Sequence, residues 1–213
     1  MPSPEKPSPD GSVETFHSRF NRVLAVAIWA IDGLLVAGGV VSGTLEGHPA
    51  LVAPAALLAF AAWLALWHPA VIVDDDDATL VNVIRTVVVP WSALIDVDTK
   101  YALTLRTPER AYSAWAAPAP GRAGAAMARR VERGRQPSGH RGTAVSPRPG
   151  DLMASESGQA AYMVRTRWQE LIAADSVETG IAHEVVVRTN WHWPSIAVLV
   201  ALAIGSAFAL GWA

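Results

Sequence analysis

The stretches VLAVAIWAIDGLLVAGGVV at 23–41 and LVAPAALLAFAAWLALW at 51–67 decide how this chain is built. Each is about the length a helix needs to cross the ~30 Å hydrocarbon core of a bilayer, and Asp32 is the one acidic or basic residue in either. A third stretch of the same kind, PSIAVLVALAIGSAFALGW, runs from Pro194 to Trp212. Together they predict an α-helical membrane anchor of three transmembrane helices, the first two joined as a hairpin by Ser42–Ala50. The first span follows a polar segment and leads at once into the second, so it reads as part of an uncleaved hairpin and not as a signal peptide.

Lys and Arg near the ends of spans tend to stay in the cytoplasm. Arg19 and Arg22 precede the first span, Ser42–Ala50 has neither Lys nor Arg, and Arg85, Lys100, Arg106 and Arg110 follow the second. This places the amino terminus and the long middle segment inside, and the hairpin turn and carboxyl terminus outside. Trp67, Trp191 and Trp193 fall at inner ends and Trp212 at an outer end, where amphipathic rings prefer to lie. The expected location is the cell membrane of a bacterium, with the bilayer itself as a partner. A net charge of −2 argues against nucleic acid binding, and the lack of cysteine removes disulfides, thiol catalysis and thiolate metal sites.

The segments divide by composition. Residues 1–18, rich in Pro, Ser and acidic groups, read as a disordered tail, and 19–69 as the helical hairpin. Residues 70–117 read as a meander of strands at Val71–Val73, Thr79–Val83, Thr86–Trp91, Ala93–Asp98, Tyr101–Thr107 and Ala111–Ala116. Residues 118–158 read as a disordered linker rich in Arg, Pro and Gly. Residues 159–190 supply an amphipathic helix, with Ala161, Val164, Trp168, Leu171 and Ile172 on one face, and a last strand at Glu184–Arg188. Residues 191–213 hold the third span. Val71–Val73 and Val185–Val187 leave and approach one surface in opposite directions, so they are expected to pair antiparallel and set the second and third spans side by side.

The run Val-Asn-Val-Ile-Arg-Thr-Val-Val-Val-Pro-Trp-Ser-Ala-Leu at 81–94, followed by Asp96-Val97-Asp98 and Tyr112-Ser113-Ala114-Trp115-Ala116, resembles the bacterial pleckstrin-homology-like (PH-like) domain of small membrane proteins from high-GC Gram-positive bacteria. The apolar hairpin before it is similar too, and the resemblance covers about Leu51–Pro118. It implies an α+β cytoplasmic domain, a curled antiparallel sheet capped by one helix, with no established catalytic residues. The Arg-rich linker and the third span lie beyond the pattern.

Few residues stand out as chemistry. Asp74–Asp77 lacks metal-loop spacing and reads as a solvated hairpin turn; Trp91 and Trp115 read as core of the sheet; the six histidines are scattered, so no metal or other cofactor is assigned. No nucleophile, base or phosphate loop can be assembled, and an enzyme is not expected. Two features keep functional interest. Arg122, Arg129, Arg130, Arg133 and Arg135, continued by Arg141 and Arg148, oppose only Glu132 and could contact anionic lipid or a partner at the inner leaflet. Asp32 is a costly group at mid-membrane, expected to be held neutral inside the bundle near Ser206, with Gly39-x-x-x-Gly43, Ala61-x-x-x-Ala65 and Ala203-x-x-x-Ala207 allowing close approach of the helices. The expected function is a non-catalytic scaffold or regulatory module binding a protein, peptide or lipid headgroup at the inner membrane surface. The alternative is an accessory subunit of a transport or ion-handling assembly, with a membrane protein partner and Asp32 as its working group.

Overall fold

The structure is a computed structural model that describes residues 13–121, 124, 126–127, 130–131, 149–178 and 180–211. Alternation along the strands sets its layers. In β3 (Asp77–Val81) and β4 (Arg85–Pro90) the residues Ala78, Leu80, Val87 and Val89 are fully buried, while Thr79, Val81 and Val88 between them are half-buried on the opposite face. With β1 (Glu14–Phe16), β2 (Ala70–Val73) and β8 (Arg188–Trp191) they form an antiparallel sheet in the order β1-β2-β3-β4-β8. After one 3-10 turn, Trp91–Ala93, the strands β5 (Asp96–Asp98), β6 (Ala102–Arg106) and β7 (Ala111–Pro118) form a second sheet. Trp91 is buried at that corner, its indole N–H donating to the Asp74 carbonyl at 3.1 Å. One core joins Val71, Val73, Leu80, Val87 and Val89 of the first sheet to Leu103, Leu105, Ala114 and Ala116 of the second.

Helices and short helical turns make up the rest of the described fold. Those that matter here are α1 (Arg19–Val41), α2 (Thr44–Gly47), α3 (Val52–Ala62, continued as a π turn over Trp63–Trp67), α4 (Glu156–Ala173) and α5 (Trp193–Ala209). α4 caps the core with Ala160, Ala161, Val164 and Leu171, Trp168 lies partly buried against it, and Ile172 is turned outward. The helix starts earlier than composition indicates. Ser155 is its N-cap, accepting from the Gly158 N–H at 3.0 Å, and Leu152, Ser155 and Ser157 are buried, so 149–158 belongs to the packed domain and not to a linker.

Two further expectations are corrected. Glu14–Phe16 is a strand and Ser18 a helix cap, not a disordered tail, because the edge of β2 offers unpaired backbone groups: Thr15 pairs with Ile72. The last strand is Arg188–Trp191 rather than Glu184–Arg188, and it pairs with β4, since both edges of β2 are already filled by β1 and β3. The second and third apolar helices still lie side by side, with a Cβ placed on Gly205 coming within 3.7 Å of Ala53 Cβ.

Among the described residues, two helices are long and apolar enough to cross a membrane by length and composition, Arg19–Val41 and Pro49–Trp67. At 1.5 Å per residue they span about 34 and 28 Å. α5 is apolar but has 17 residues, and it ends where Gly211 takes a left-handed φ of 71°. Trp212, expected to anchor its outer end, lies outside the described residues.

Gly158 lies where α4 passes over the Leu152 carbonyl, and a Cβ there would sit inside van der Waals contact of that oxygen. Gly158→Ala should therefore destabilise the domain by about 1–3 kcal/mol, read as a lower denaturation midpoint with helix content retained at low temperature.

Candidate functional site

The three apolar helices converge on one sheet, and their end groups are satisfied by residues of the domain. α1 begins directly after β1. Its N-cap Ser18 accepts from the Asn21 N–H at 2.9 Å, and the carboxylate of Glu156, the first residue of α4, accepts from the Ser18 hydroxyl at 2.8 Å and from the Phe20 N–H at 3.0 Å. An acidic group at exposed helical N–H groups is favourable for both hydrogen bonding and the helix dipole. The capping helix of the domain thus holds the start of the first apolar helix.

At the end of α3 the decisive residue is Pro69. It has no N–H, so the Ala65 carbonyl four residues earlier loses its helical donor, and the Trp115 indole supplies one at 2.7 Å. Trp115 therefore faces the helices, 55% exposed, and is not sheet core as the sequence suggests. Asn82 fixes the strand that carries it: its amide donates to the Ser113 carbonyl at 3.1 Å and its oxygen accepts from the Trp115 N–H at 2.7 Å. His17 Nδ1 lies 3.3 Å from the Pro69 carbonyl oxygen. At the start of α5, the His192 N–H donates to the Ile84 carbonyl at 2.9 Å and its ring lies 2.8 Å from the Thr86 hydroxyl.

The His68 and His192 rings meet edge to face at 5.2 Å, which bridges the ends of α3 and α5. Burial, reinforced by the neighbouring His192, holds the His68 imidazole below the ordinary histidine range. Around the joint Arg22 stands over Trp67 at 5.0 Å, Arg85 over Trp191 at 5.8 Å, and Trp191 stacks on Trp193 at 6.1 Å.

A second candidate is a charged groove of about 440 Å³ where β5 and β6 meet α4, lined by Asp96, Val97, Asp98, Lys100, Arg106, Asp151 and Arg165. Arg106 bridges Asp98 at 2.8 Å and Asp96 at 3.6 Å, and its guanidinium holds the Asp98 carboxyl below the usual carboxylate range. Arg165 donates to the Val97 carbonyl at 2.6 Å and lies 3.4 Å from Asp151, whose Oδ1 accepts from Thr99 at 2.7 Å. Nearby, the Asp74–Asp77 hairpin turn is closed by Asp74 Oδ1, which accepts from the Asp76 and Asp77 N–H groups, and is held to α4 by Arg167 on Asp75. Burial raises the Asp77 carboxyl above its usual range despite the Thr79 hydroxyl it accepts from.

The residues singled out in the sequence do not gather into one site. Asp32 lines a groove between α1 and the hairpin turn, whereas the Ser206 hydroxyl is buried and donates to the Leu202 carbonyl of its own helix at 2.6 Å. Gly39 packs on Leu45 of the turn, so its close approach serves the hairpin itself. Arg130 is exposed; Arg122, Arg129, Arg133, Arg135, Arg141 and Arg148 lie outside the described residues. Glu156, Arg165 and the His68–His192 pair escaped the sequence reading because each is one polar residue whose partner lies over a hundred residues away or on another element. Pro69 was the one readable signal, since it announces an orphan carbonyl at Ala65.

A family model described as Bacterial PH domain matches residues 68–147. No curated protein and no solved structure matches the chain. The matched segment begins at His68 and takes in β2 to β7, while the structure adds β1, α4 and β8 around it.

Because His68 is held neutral in the folded state, the stability it contributes is complete above the unfolded value of about 6.5 and is lost as pH falls through its lower folded pKa. The melting temperature should fall as pH drops below 6.5, and His68→Asn should flatten that slope. An unchanged slope in the variant would remove His68 as its source.

Proposed function

We propose, from the premise that this chain carries a bacterial PH-like domain, that it is a membrane-anchored, non-catalytic module which presents a binding groove at the inner membrane surface. The observation that carries this reading is the attachment of all three apolar helices to one sheet. β1 runs into α1, α3 runs into β2, and β8 runs into α5, so the near ends of the helices lie against the domain and the α1–α3 turn lies at their far end. A chain threaded in this way through a bilayer has Val13 and the PH-like domain on one side and Thr44–Gly47 on the other. The charge asymmetry of the spans supports a cytoplasmic domain side. Only 11% of either long apolar stretch is buried, unlike the core helix of a soluble protein, and the Trp67, Trp191 and Trp193 rings gather at the depth where a headgroup region would lie. α5, though short, is apolar and lies against α3, which supports a third crossing.

The groove between β5 and α4 is the part of the domain best suited to a partner. Its charges alternate in sign and are already paired with one another, so it suits a polypeptide segment bearing both acids and bases better than a highly charged anion. Arg106 and Arg165 are the groups such a segment would exchange partners with.

Two measurements test this. With single cysteines in a chain that has none, Thr44→Cys should react with an impermeant maleimide on intact cells and Tyr101→Cys only after lysis; the opposite pattern would invert the topology. A photocrosslinking residue at Lys100 should capture a discrete partner in native membranes, one lost in Arg106→Gln/Arg165→Gln, while the same residue at exposed Tyr162 should not. Equal capture at both positions would remove the groove from the account.

A further inference from the structure

The groove at Asp32 has a different character from the domain surface. It measures about 490 Å³ and is lined by apolar Leu35, Val36, Leu51, Ala55 and Leu58, with Asp32 as its acidic group. Trp29, one turn before Asp32, closes the two helices together by donating its indole N–H to the Ala59 carbonyl at 3.0 Å. Beyond that bond the groove is lined by α1, the turn and α3, and α5, which packs along α3, contributes no residue to it. Among the described residues Asp32 has no hydrogen bond or ion pair. Arg19 and Arg22 lie at the domain end of α1, three or four turns away, and no Lys, Arg or His occurs between Asp32 and the turn.

We propose that this groove receives a transmembrane helix of another protein carrying one basic side chain near its midpoint. The proposal rests on the spanning reading above. An acidic residue in hydrocarbon is costly unless it faces protein or meets a counter-group, and a Lys or Arg at the same depth supplies the hydrogen bonds and countercharge that Asp32 lacks. Around Asp32 the lining is apolar, the Ser42 and Thr44 hydroxyls lie at the turn end of the groove and bond each other at 2.8 Å, and the small side chain of Ala55 leaves room for side chains of an incoming helix. A second copy of this chain fits less well: the polar groups its apolar helices offer at that depth are another Asp32 and Ser206, whose hydroxyl is already engaged.

The test uses the full chain in lipid vesicles, labelled at Glu46→Cys on the turn outside the groove lining, and a synthetic Leu/Ala transmembrane peptide with one central Lys or with Leu in its place. Energy transfer should show the Lys peptide associating roughly tenfold more tightly than the Leu peptide. The preference should vanish in Asp32→Asn, and Ala55→Leu, which fills the groove, should weaken binding of the Lys peptide with Asp32 intact. Equal binding of the two peptides, or a preference that survives both substitutions, would overturn the site while leaving the spanning reading in place. Energy transfer between two labelled copies that disappears in Asp32→Asn would assign the groove to self-association instead. A chain that fails to float with vesicles would overturn the spanning reading, and the site with it.

Discussion

A helix must give partners to the backbone groups at its ends, and in this protein the domain supplies them for the apolar helices. The carboxylate of Glu156 takes the Phe20 N–H and the Ser18 hydroxyl at the head of α1, and the Trp115 indole takes the Ala65 carbonyl that Pro69 leaves without a donor. β1 and β8 then extend the PH-like sheet by one strand on each edge, each continuous with a helix. The arrangement has an energetic consequence. Each such bond contributes about 0.5–1.5 kcal/mol, so the domain and the helices are coupled in stability through a few named contacts.

This coupling also gives the molecule two faces. The charged groove between β5 and α4 touches the same helix, α4, whose first residue caps α1, with Arg165 at one end of the connection and Glu156 at the other. An occupant that draws Arg165 away from Val97 and Asp151 acts on a helix that holds the first apolar helix in place. The His68–His192 contact adds a second tie at the ends of α3 and α5.

Much of this was legible from residues alone wherever a repeating pattern carried it. The apolar runs marked the two long helices, alternation marked β3, β4 and β7, and the 3.6 period marked most of the buried face of α4. What escaped were single polar residues acting at a distance. Val13-Glu14-Thr15-Phe16 has no strand pattern of its own and becomes a strand only because β2 has a free edge. Arg188-Thr189-Asn190-Trp191 is equally polar, while the β-branched Val185–Val187 beside it looks like a better strand; the sheet selects the four residues that reach β4 just as the chain turns into α5. Trp115 sits in an alternating strand and reads as core, yet its indole is taken by a carbonyl fifty residues earlier. Asp32 could be singled out as costly, but the groove it lines is assembled by the turn and α3 as well as by α1, which no local pattern announces.

The central claim is that the segment before α1 belongs to the PH-like sheet and thereby fixes the helices to the domain. Since the chain has no cysteine, a double variant Thr15→Cys/Ile72→Cys tests it directly, because these residues are register partners in β1 and β2. Mild oxidation should close that disulfide nearly completely, whereas Ile72→Cys/Val186→Cys should remain reduced. A closed bond in the second pair and none in the first would contradict the account.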